Sequence, residues 1–145
     1  MRASRLDPLW ADYEAHHRTA GNKWCHAAGI PLILAGLLGL LSVPVLTVEG
    51  ARVEAALLLI AVMAGLYLWL DARLCAAMLA ATLLLYLGAR LLDWRAALGL
   101  LLAGWILQFI GHGLYEKRSP AFFHNLSHLL VGPLWVLNHA LRIRR

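Results

Sequence analysis

Charged residues are scarce in this chain. Only 14% of its 145 residues are Asp, Glu, Lys or Arg, whereas 61% are hydrophobic. A soluble domain carries roughly 25% charged residues and about 45–50% apolar ones. The shortage of charge therefore excludes an ordinary water-soluble domain. It predicts a single membrane-embedded domain over residues 1–145, with no separate soluble domain.

Cysteine is also rare, because the chain holds only Cys25 and Cys75, which lie in different segments. Neither belongs to a CxxC pair, so we expect neither a disulfide framework nor a cysteine-ligated zinc site. The N-terminal stretch MRASRLDPLWADYEAHHR is polar and lacks the apolar core and cleavage site of a leader peptide. We therefore expect no cleavable signal peptide.

What the chain has in abundance is long apolar segments. Each is close to the roughly 20 residues that a transmembrane helix needs, and the charged residues fall in connections, at helix edges or near the termini. These patterns predict an all-α integral membrane bundle with about four transmembrane helices. The predicted spans are residues 29–48, 53–70, 74–92 and 96–114, and Pro31 and Pro44 should kink or bound the first of them.

Two further segments are predicted to be helical without crossing the membrane. Residues 5–17 place apolar and aromatic side chains, Trp10 and Tyr13 among them, at helical spacing, which is typical of a helix lying at the membrane interface. Residues 125–141 are apolar but shorter than a span, and Pro133 interrupts them. We expect an interfacial or re-entrant helix there.

The basic residues indicate how the chain crosses the membrane. The net charge is +5, but no basic run is interleaved with aromatic residues, so we expect no nucleic-acid partner. With four spans and a cytoplasmic N-terminus, the basic residues concentrate inside, as the positive-inside rule requires. In a bacterium this would be the inner membrane. The inside residues are Arg2, Arg5, Arg18, Lys23, Arg73, Lys117 and Arg118, with Arg142, Arg144 and Arg145 if the last segment does not cross.

The same topology brings three distant histidines to the cytoplasmic face, namely His17, His26 and His112. His17 and His26 are nine residues apart and would point in opposite directions on one unbroken helix. Gly21 is typical of a helix stop and Asn22 of the next helix cap. A turn there would let both imidazoles face one point.

Polar residues also recur in the stretch 105–125, which begins as an apolar helix. Gln108, His112 and Glu116 are spaced by four residues and should share one face of a single helix. A glutamine and a histidine are costly in lipid unless they are paired, hydrated or bound to a ligand. Gln108 could satisfy a neighbouring helix or face the site.

Imidazole is the commonest metal ligand, and three nitrogen or carboxylate ligands with open positions are typical of non-haem iron. We therefore expect a metal site on His17, His26 and His112. Glu116 could be a further ligand, an acceptor that orients His112, or a surface partner of the basic residues that follow it. His128 is another candidate ligand. The other histidines are His16 and His139, which we expect at the interface in contact with water or headgroups, and His124, for which a site role and a surface role are equally compatible.

Two blocks of sequence carry a resemblance. YEAHHRTAGNKWCHAAGIP and GWILQFIGHGLYEKRSPAFFHNL resemble motifs of a small membrane family whose fungal member is the iron-dependent 2-hydroxy fatty acid dioxygenase of phytosphingosine breakdown. The resemblance implies α-oxidation, in which a 2-hydroxy fatty acid and O2 give a fatty acid one carbon shorter, with Fe(2+) as cofactor. The family's required histidines correspond to His17, His26 and His112. A ligand role for His128 does not follow from the resemblance.

This function assigns tasks to the polar residues around the histidines. Fe(II) could chelate the substrate carboxylate and 2-hydroxyl while the acyl chain lies in a groove between the spans. A cationic side chain could pair with the carboxylate. The candidates for this pairing are Lys23, Lys117 and Arg118, and Asn22, Asn125 and Gln108 are candidate polar contacts, although the two asparagines are equally compatible with helix caps.

Other functions are compatible with the same composition. A di-iron hydroxylase or desaturase needs several histidine boxes, whereas only His124 and His128 have HxxxH spacing here. A haem protein could use His26 and His112 as axial ligands. A small transporter or scaffold could use its histidines to sense protons. Small residues at four-residue spacing, such as Ala61 and Gly65, permit close packing within the chain or in a homo-oligomer.

Overall fold

The computed structural model describes residues 4–144, which form six α-helices and one β-hairpin. The predicted all-α class is confirmed, with the hairpin as an addition. Arg2 and Arg145, which the charge count includes, lie outside the described residues. The helices are α1 (Leu6–Ala15), α2 (Ala20–Leu40), α3 (Ala55–Leu70), α4 (Ala72–Ala89), α5 (Trp94–Ile110) and α6 (Ser127–Leu141); the hairpin pairs β1 (Pro44–Val48) with β2 (Ala51–Glu54), a π-helical segment (Gly111–Glu116) continues α5, and a 3-10 turn (Ala121–Phe123) precedes α6.

Three helical segments of the described chain are long and apolar enough to cross a membrane: α2, α4, and α5 together with its π-helical continuation. The remaining predicted span, residues 53–70, corresponds to α3, which is apolar but has only 16 residues. Large apolar side chains such as Val62, Leu84 and Leu102 are exposed on the outer faces of the bundle. Such faces suit a lipid environment rather than water.

The N-terminal end of α2 differs from the prediction. Gly21 does not stop a helix and Asn22 does not cap one, because both lie inside α2. Thr19 is the cap instead: its backbone is extended, and its hydroxyl accepts a hydrogen bond from the Asn22 amide at 3.4 Å. Threonine is a preferred N-cap residue. The predicted break in the helix therefore exists, but it lies at residues 16–19, and His17 is inside it.

The C-terminal end of the first predicted span, residues 29–48, also differs. Helix α2 ends at Leu40, and it runs through Pro31 without ending there. The following residues form β1 and pair with β2 in an antiparallel hairpin. Glu49 and Gly50 link the strands with positive φ angles of 49° and 86°. A two-residue hairpin turn favours this conformation because it matches the twist of the strands.

Helices α2 and α5 pack closely along glycines. A Cβ atom at Gly36 would lie 2.5 Å from the Ala97 carbonyl oxygen, and one at Gly104 would lie 2.7 Å from the carbonyl oxygen of Gly29. Only hydrogen in place of a side chain allows this approach. A Cβ at Gly65, by contrast, would meet no atom within 4 Å, so the predicted small-residue pair on α3 is not an internal contact.

Helices α1 and α6 pack against each other at the end of the bundle where α2 begins. Tyr13 of α1 belongs to one buried cluster with Val131, Leu134 and Trp135 of α6. Pro133 lies within an unbroken α6, so the predicted interruption of this helix is absent. This arrangement places α1 and α6 over the polar ends of α2 and α5, where the histidines are.

Candidate metal centre

The three predicted histidines meet although they come from separate parts of the chain. His17 lies in the break between α1 and α2, His26 is two turns into α2, and His112 is in the π-helical segment after α5. All three are buried, and their ligand nitrogens lie within 4.8 Å of one another. The predicted convergence of His17, His26 and His112 is confirmed.

Hydrogen bonds to the backbone fix the orientation of two of these rings. The Nδ1 atom of His17 lies 2.6 Å from the carbonyl oxygen of Tyr13, and Nδ1 of His26 lies 2.9 Å from that of Asn22. A carbonyl oxygen only accepts, so each Nδ1 carries the proton and each Nε2 presents a lone pair. This second contact is typical of metal-binding histidines, in which it selects the tautomer.

The two Nε2 atoms face each other at 3.0 Å. Two lone pairs at this distance repel each other unless a cation lies beside both. Metal–nitrogen bonds of about 2.0–2.1 Å at right angles separate two ligand nitrogens by about 3 Å. The donor set therefore fits a transition-metal ion, and the buried cluster of His17, His26 and His112 could bind one.

The protonation state also suits metal binding. Burial, with a further contribution from His26, lowers the pKa of His17 to about 3. The imidazole is therefore neutral near pH 7, which is the form that binds metals.

Glu116 lies outside the cluster. Its Oε1 atom accepts hydrogen bonds from the backbone amides of Arg18 and Thr19 at 2.7 and 2.8 Å, from the Thr19 hydroxyl at 3.0 Å and from Asn22 Nδ2 at 3.1 Å. A carboxylate at a helix N-terminus satisfies amides that have no partner within the helix. Glu116 thus ties the π-helical segment of His112 to the start of α2.

A second group of polar side chains lies beside the first. His128 Nε2 is 2.8 Å from Asp12 Oδ2, which also accepts from Asn125 Nδ2 at 3.1 Å. His16 completes a group whose potential ligand atoms also lie within 4.8 Å of one another. His128 therefore pairs with a carboxylate and lies outside the first cluster, with its ring centroid 6.2 Å from that of His17.

An apolar cavity of about 250 Å³ opens beside the cluster. A smaller cavity of about 50 Å³ shares part of its wall and extends toward α4. Both are lined mainly by apolar side chains, and the histidines lie only along the larger one. The larger cavity is lined by Tyr13, His17, His26, Gln108, His112 and His128 at the polar end and by Ile30, Ile33, Leu34, Leu37, Leu59, Met63, Tyr67, Trp105, Ala121, Phe122, Leu129, Gly132 and Pro133 elsewhere.

A polar cavity lies on the other side of His128, and it is lined by Asp12, His16, Arg118, Ser119, Ala121, His124, Asn125 and His128. Of the three predicted cationic residues, Arg118 therefore lies near the candidate site, whereas Lys23 and Lys117 do not line this cavity. Gln108 lines the apolar cavity and its amide contacts the Cys25 carbonyl oxygen at 3.4 Å. Asn125 also accepts a hydrogen bond from the Ser127 amide at the start of α6.

Two residues of the site were absent from the sequence prediction, Asp12 and Tyr13. Tyr13 stacks on His17 with ring centroids 3.9 Å apart. The spacing of Asp12 and His16, one helical turn apart, is the signal that could have identified the carboxylate. The pairing of Asp12 with His128 joins residues 116 positions apart, which local patterns do not show.

The fold and the site define a class: small proteins of apolar helices with a buried histidine cluster at one end. Within it, this chain belongs to the Mpo1-like family, since the family model described as 2-hydroxy-palmitic acid dioxygenase Mpo1-like matches residues 3–143. The chain is 31% identical over 134 residues to the 2-hydroxy-palmitic acid dioxygenase MPO1 of Saccharomyces cerevisiae. The match covers 86% of this chain and 73% of the yeast protein. No solved structure matches the chain.

Proposed function

We propose that this protein is an Fe(II)-dependent dioxygenase that converts 2-hydroxy fatty acids to fatty acids one carbon shorter. The observation that carries the proposal is the 3.0 Å distance between the Nε2 atoms of His17 and His26, whose lone pairs face each other at the polar end of an apolar cavity. The name of the yeast relative, a 2-hydroxy-palmitic acid dioxygenase, supports the substrate class.

The reaction balances without a further electron donor. One 2-hydroxy fatty acid and one O2 give the shortened fatty acid, CO2 and water, and the substrate itself supplies the four electrons that reduce O2. A reductase partner or a flavin is therefore not required. When bound, Fe(II) would supply the redox-active Lewis acid at which a 2-hydroxy acid and O2 can react.

The chain's own residues bind and orient the reactants. His17, His26 and His112 would hold the metal as neutral ligands, and the two backbone hydrogen bonds keep the imidazoles of His17 and His26 in place. The cavity between α2 and α3 would take the acyl chain and exclude water. Arg118 lines the polar cavity on the far side of His128, where its guanidinium could attract the substrate carboxylate.

We further propose that the protein lies in a membrane with this site near the cytoplasmic surface. Three helices of sufficient length and apolar outer faces support the membrane location. The concentration of basic residues on one side supports the orientation. A fatty acid dissolves in the same membrane, so its carboxylate would reach the site at the interface.

The same geometry argues against a haem between His26 and His112. Their ring centroids are 4.9 Å apart, and the ring of His17 lies 4.4 Å from that of His26 and 4.9 Å from that of His112. A macrocycle would have to pass between the axial ligands, where the third imidazole lies. A Soret band in the purified protein would overturn this conclusion.

The test is metal analysis and O2 uptake by detergent-purified protein, with 2-hydroxyhexadecanoic acid compared with hexadecanoic acid. We expect iron in the wild-type protein and O2 uptake only with the hydroxylated acid. His112→Ala should lose at least about 100-fold in turnover together with most of the iron, because truncating a ligand removes a metal–nitrogen bond. His139→Ala is the control, since His139 contacts Trp135 at the distal end of α6.

Iron content and turnover that His112→Ala leaves unchanged would contradict the proposed site. A wild-type protein that binds no metal even after incubation with Fe(II) would contradict the proposed function as a whole.

A further inference from the structure

Unpaired polar atoms are concentrated around the site. Within residues 4–144, the buried side-chain atoms without a hydrogen-bond partner are the Tyr13 hydroxyl, Asn22 Oδ1 and His128 Nδ1. Tyr13 and His128 both line the apolar cavity, and they are 2% and 6% exposed. Buried polar groups are nearly always hydrogen-bonded, so two unpaired ones beside the same cavity indicate a polar ligand group.

The pairing with Asp12 determines what His128 offers to that ligand. Asp12 is a carboxylate that already accepts a hydrogen bond from Asn125, and the side-chain hydrogen bond from His128 lowers the pKa of Asp12. An ionised carboxylate only accepts, so Nε2 of His128 carries the proton that it shares with Asp12. In the neutral imidazole Nδ1 is then an acceptor.

Tyr13 complements this acceptor with a donor. The two ring centroids are 5.3 Å apart, and the ring of Tyr13 is stacked on the candidate ligand His17. A ligand hydroxyl beside the metal can donate to an imidazole nitrogen and accept from a phenol. A carboxylate satisfies only the phenol, and a methylene satisfies neither.

We propose that His128, held by Asp12 and Asn125, binds the 2-hydroxyl group of the substrate and selects 2-hydroxy acids over unsubstituted fatty acids. The Tyr13 hydroxyl completes this contact. The inference rests on the proposed function, because that function supplies the substrate class. His128 is thereby a specificity residue rather than a metal ligand.

The test measures binding rather than turnover. Dissociation constants for 2-hydroxyhexadecanoic acid and hexadecanoic acid are determined on the metal-loaded full-length protein in detergent without O2. The wild-type protein should prefer the hydroxylated acid by at least about tenfold, because an acid without the hydroxyl leaves buried polar groups unpaired. His128→Leu should abolish the preference, with a ratio of the two dissociation constants of about one, and leave the metal content unchanged. His139→Gln should keep both values.

If His128→Leu does not fold, Asp12→Ala tests the same assignment, because it keeps His128 and removes the acceptor that fixes its tautomer. It should reduce the preference as well. An unchanged preference in a folded His128→Leu or Asp12→Ala variant would overturn the inference. Loss of a metal ion from either variant would also overturn it, since Asp12, His16 and His128 would then be a second metal site.

The measurement separates the two proposals. A protein that prefers the hydroxylated acid through His128 but consumes no O2 would support this inference and contradict the proposed reaction. O2 uptake without any binding preference in the wild-type protein would support the reaction and contradict this inference.

Discussion

Glu116 connects the three chain segments that carry the histidines. Its carboxylate oxygen accepts from Arg18 and Thr19 beside His17, and from Asn22 one turn before His26. Glu116 itself lies one turn after His112. From the sequence alone, Glu116 is equally compatible with a metal ligand, an acceptor for His112 or a surface partner of Lys117 and Arg118. The structure places it on the N-terminus of α2 instead.

Replacement of Glu116 should therefore weaken both the fold and the candidate metal site. Glu116→Ala removes four acceptor contacts, and hydrogen bonds to a charged group contribute about 1.5–3 kcal/mol each in favourable cases. Because the side chain is only half-buried, we expect a loss of about 2 kcal/mol in the free energy of unfolding. Chemical unfolding in detergent measures this loss, and iron titration should show weaker binding.

The matched control is Glu49→Gln in the hairpin turn, where the carboxylate is exposed. It should leave stability and iron affinity unchanged, whereas Glu116→Gln should fall between the wild type and Glu116→Ala. Equal stability of the Glu116→Ala and wild-type proteins would show that the observed contacts contribute nothing.

The sequence could predict that His17, His26 and His112 meet, because the order of apolar segments and charges is a global pattern. It could not predict the partner of His128. Asp12 belongs to the polar face of α1 by pattern, and its contact with α6 depends on how the two helices pack against each other. Such a contact can be identified only in the three-dimensional structure, since neither residue type nor spacing specifies it.

At the level of helices, the glycine contacts between α2 and α5 position the site. His26 is on α2, and His112 follows α5, so the distance between these helices sets the distance between two candidate ligands. A Cβ at Gly36 would lie 2.5 Å from both the Ala97 carbonyl oxygen and the Leu101 amide nitrogen. These are backbone atoms, which cannot rotate away as a side chain could.

Gly36→Ala should therefore force the helices apart. Overpacking of this kind costs about 1–3 kcal/mol, and the movement should also lower iron affinity. Gly99→Ala on α5 is the control, because a Cβ there meets no atom within 4 Å. The control should be neutral or more stable by up to about 1 kcal/mol, since alanine favours a helix. Thermal unfolding of both variants in the same detergent compares them, and equal melting temperatures would contradict the role of the glycine contact.

Helix types and strands were less predictable than helix positions. Gln108, His112 and Glu116 follow an α-helical spacing, but the chain changes to a π-helix at Gly111, which the four-residue repeat does not reveal. The hairpin was hidden because Pro44–Val48 continue an apolar run. The β-branched residues of PVLTV and the Glu49–Gly50 turn indicate a hairpin. The same apolar run also has the length expected of a membrane span, which favours a helix instead.

At the level of the whole molecule, the two apolar cavities form one path from the histidines toward the middle of the bundle. Leu37, Leu59 and Met63 line both cavities, and Ala64 lines only the smaller, more distant one. An acyl chain bound with its headgroup at the cluster would extend in this direction. The far cavity would then limit the chain length that the protein accepts.

Ala64→Leu should fill that far cavity and shift the preference toward shorter 2-hydroxy acids. Turnover of a C16 substrate should fall about tenfold relative to a C10 substrate, because one larger side chain displaces several methylene groups and each buried methylene contributes about 0.8 kcal/mol. Ala61→Leu is the control, because Ala61 is on the exposed face of the same helix. An unchanged chain-length profile would place the acyl chain elsewhere.

The glycine contacts between α2 and α5 also have a consequence for how a lipid gains access. The cavity has one wall on this tightly packed pair and another on α3, which faces α2 mainly across the cavity. Because α3 has few direct contacts with α2, we expect the α3 wall to move outward more readily than the closely packed pair that carries the histidines. Substrate exchange and metal release would then have independent rates. A lipid could bind and dissociate many times while one ion stays bound.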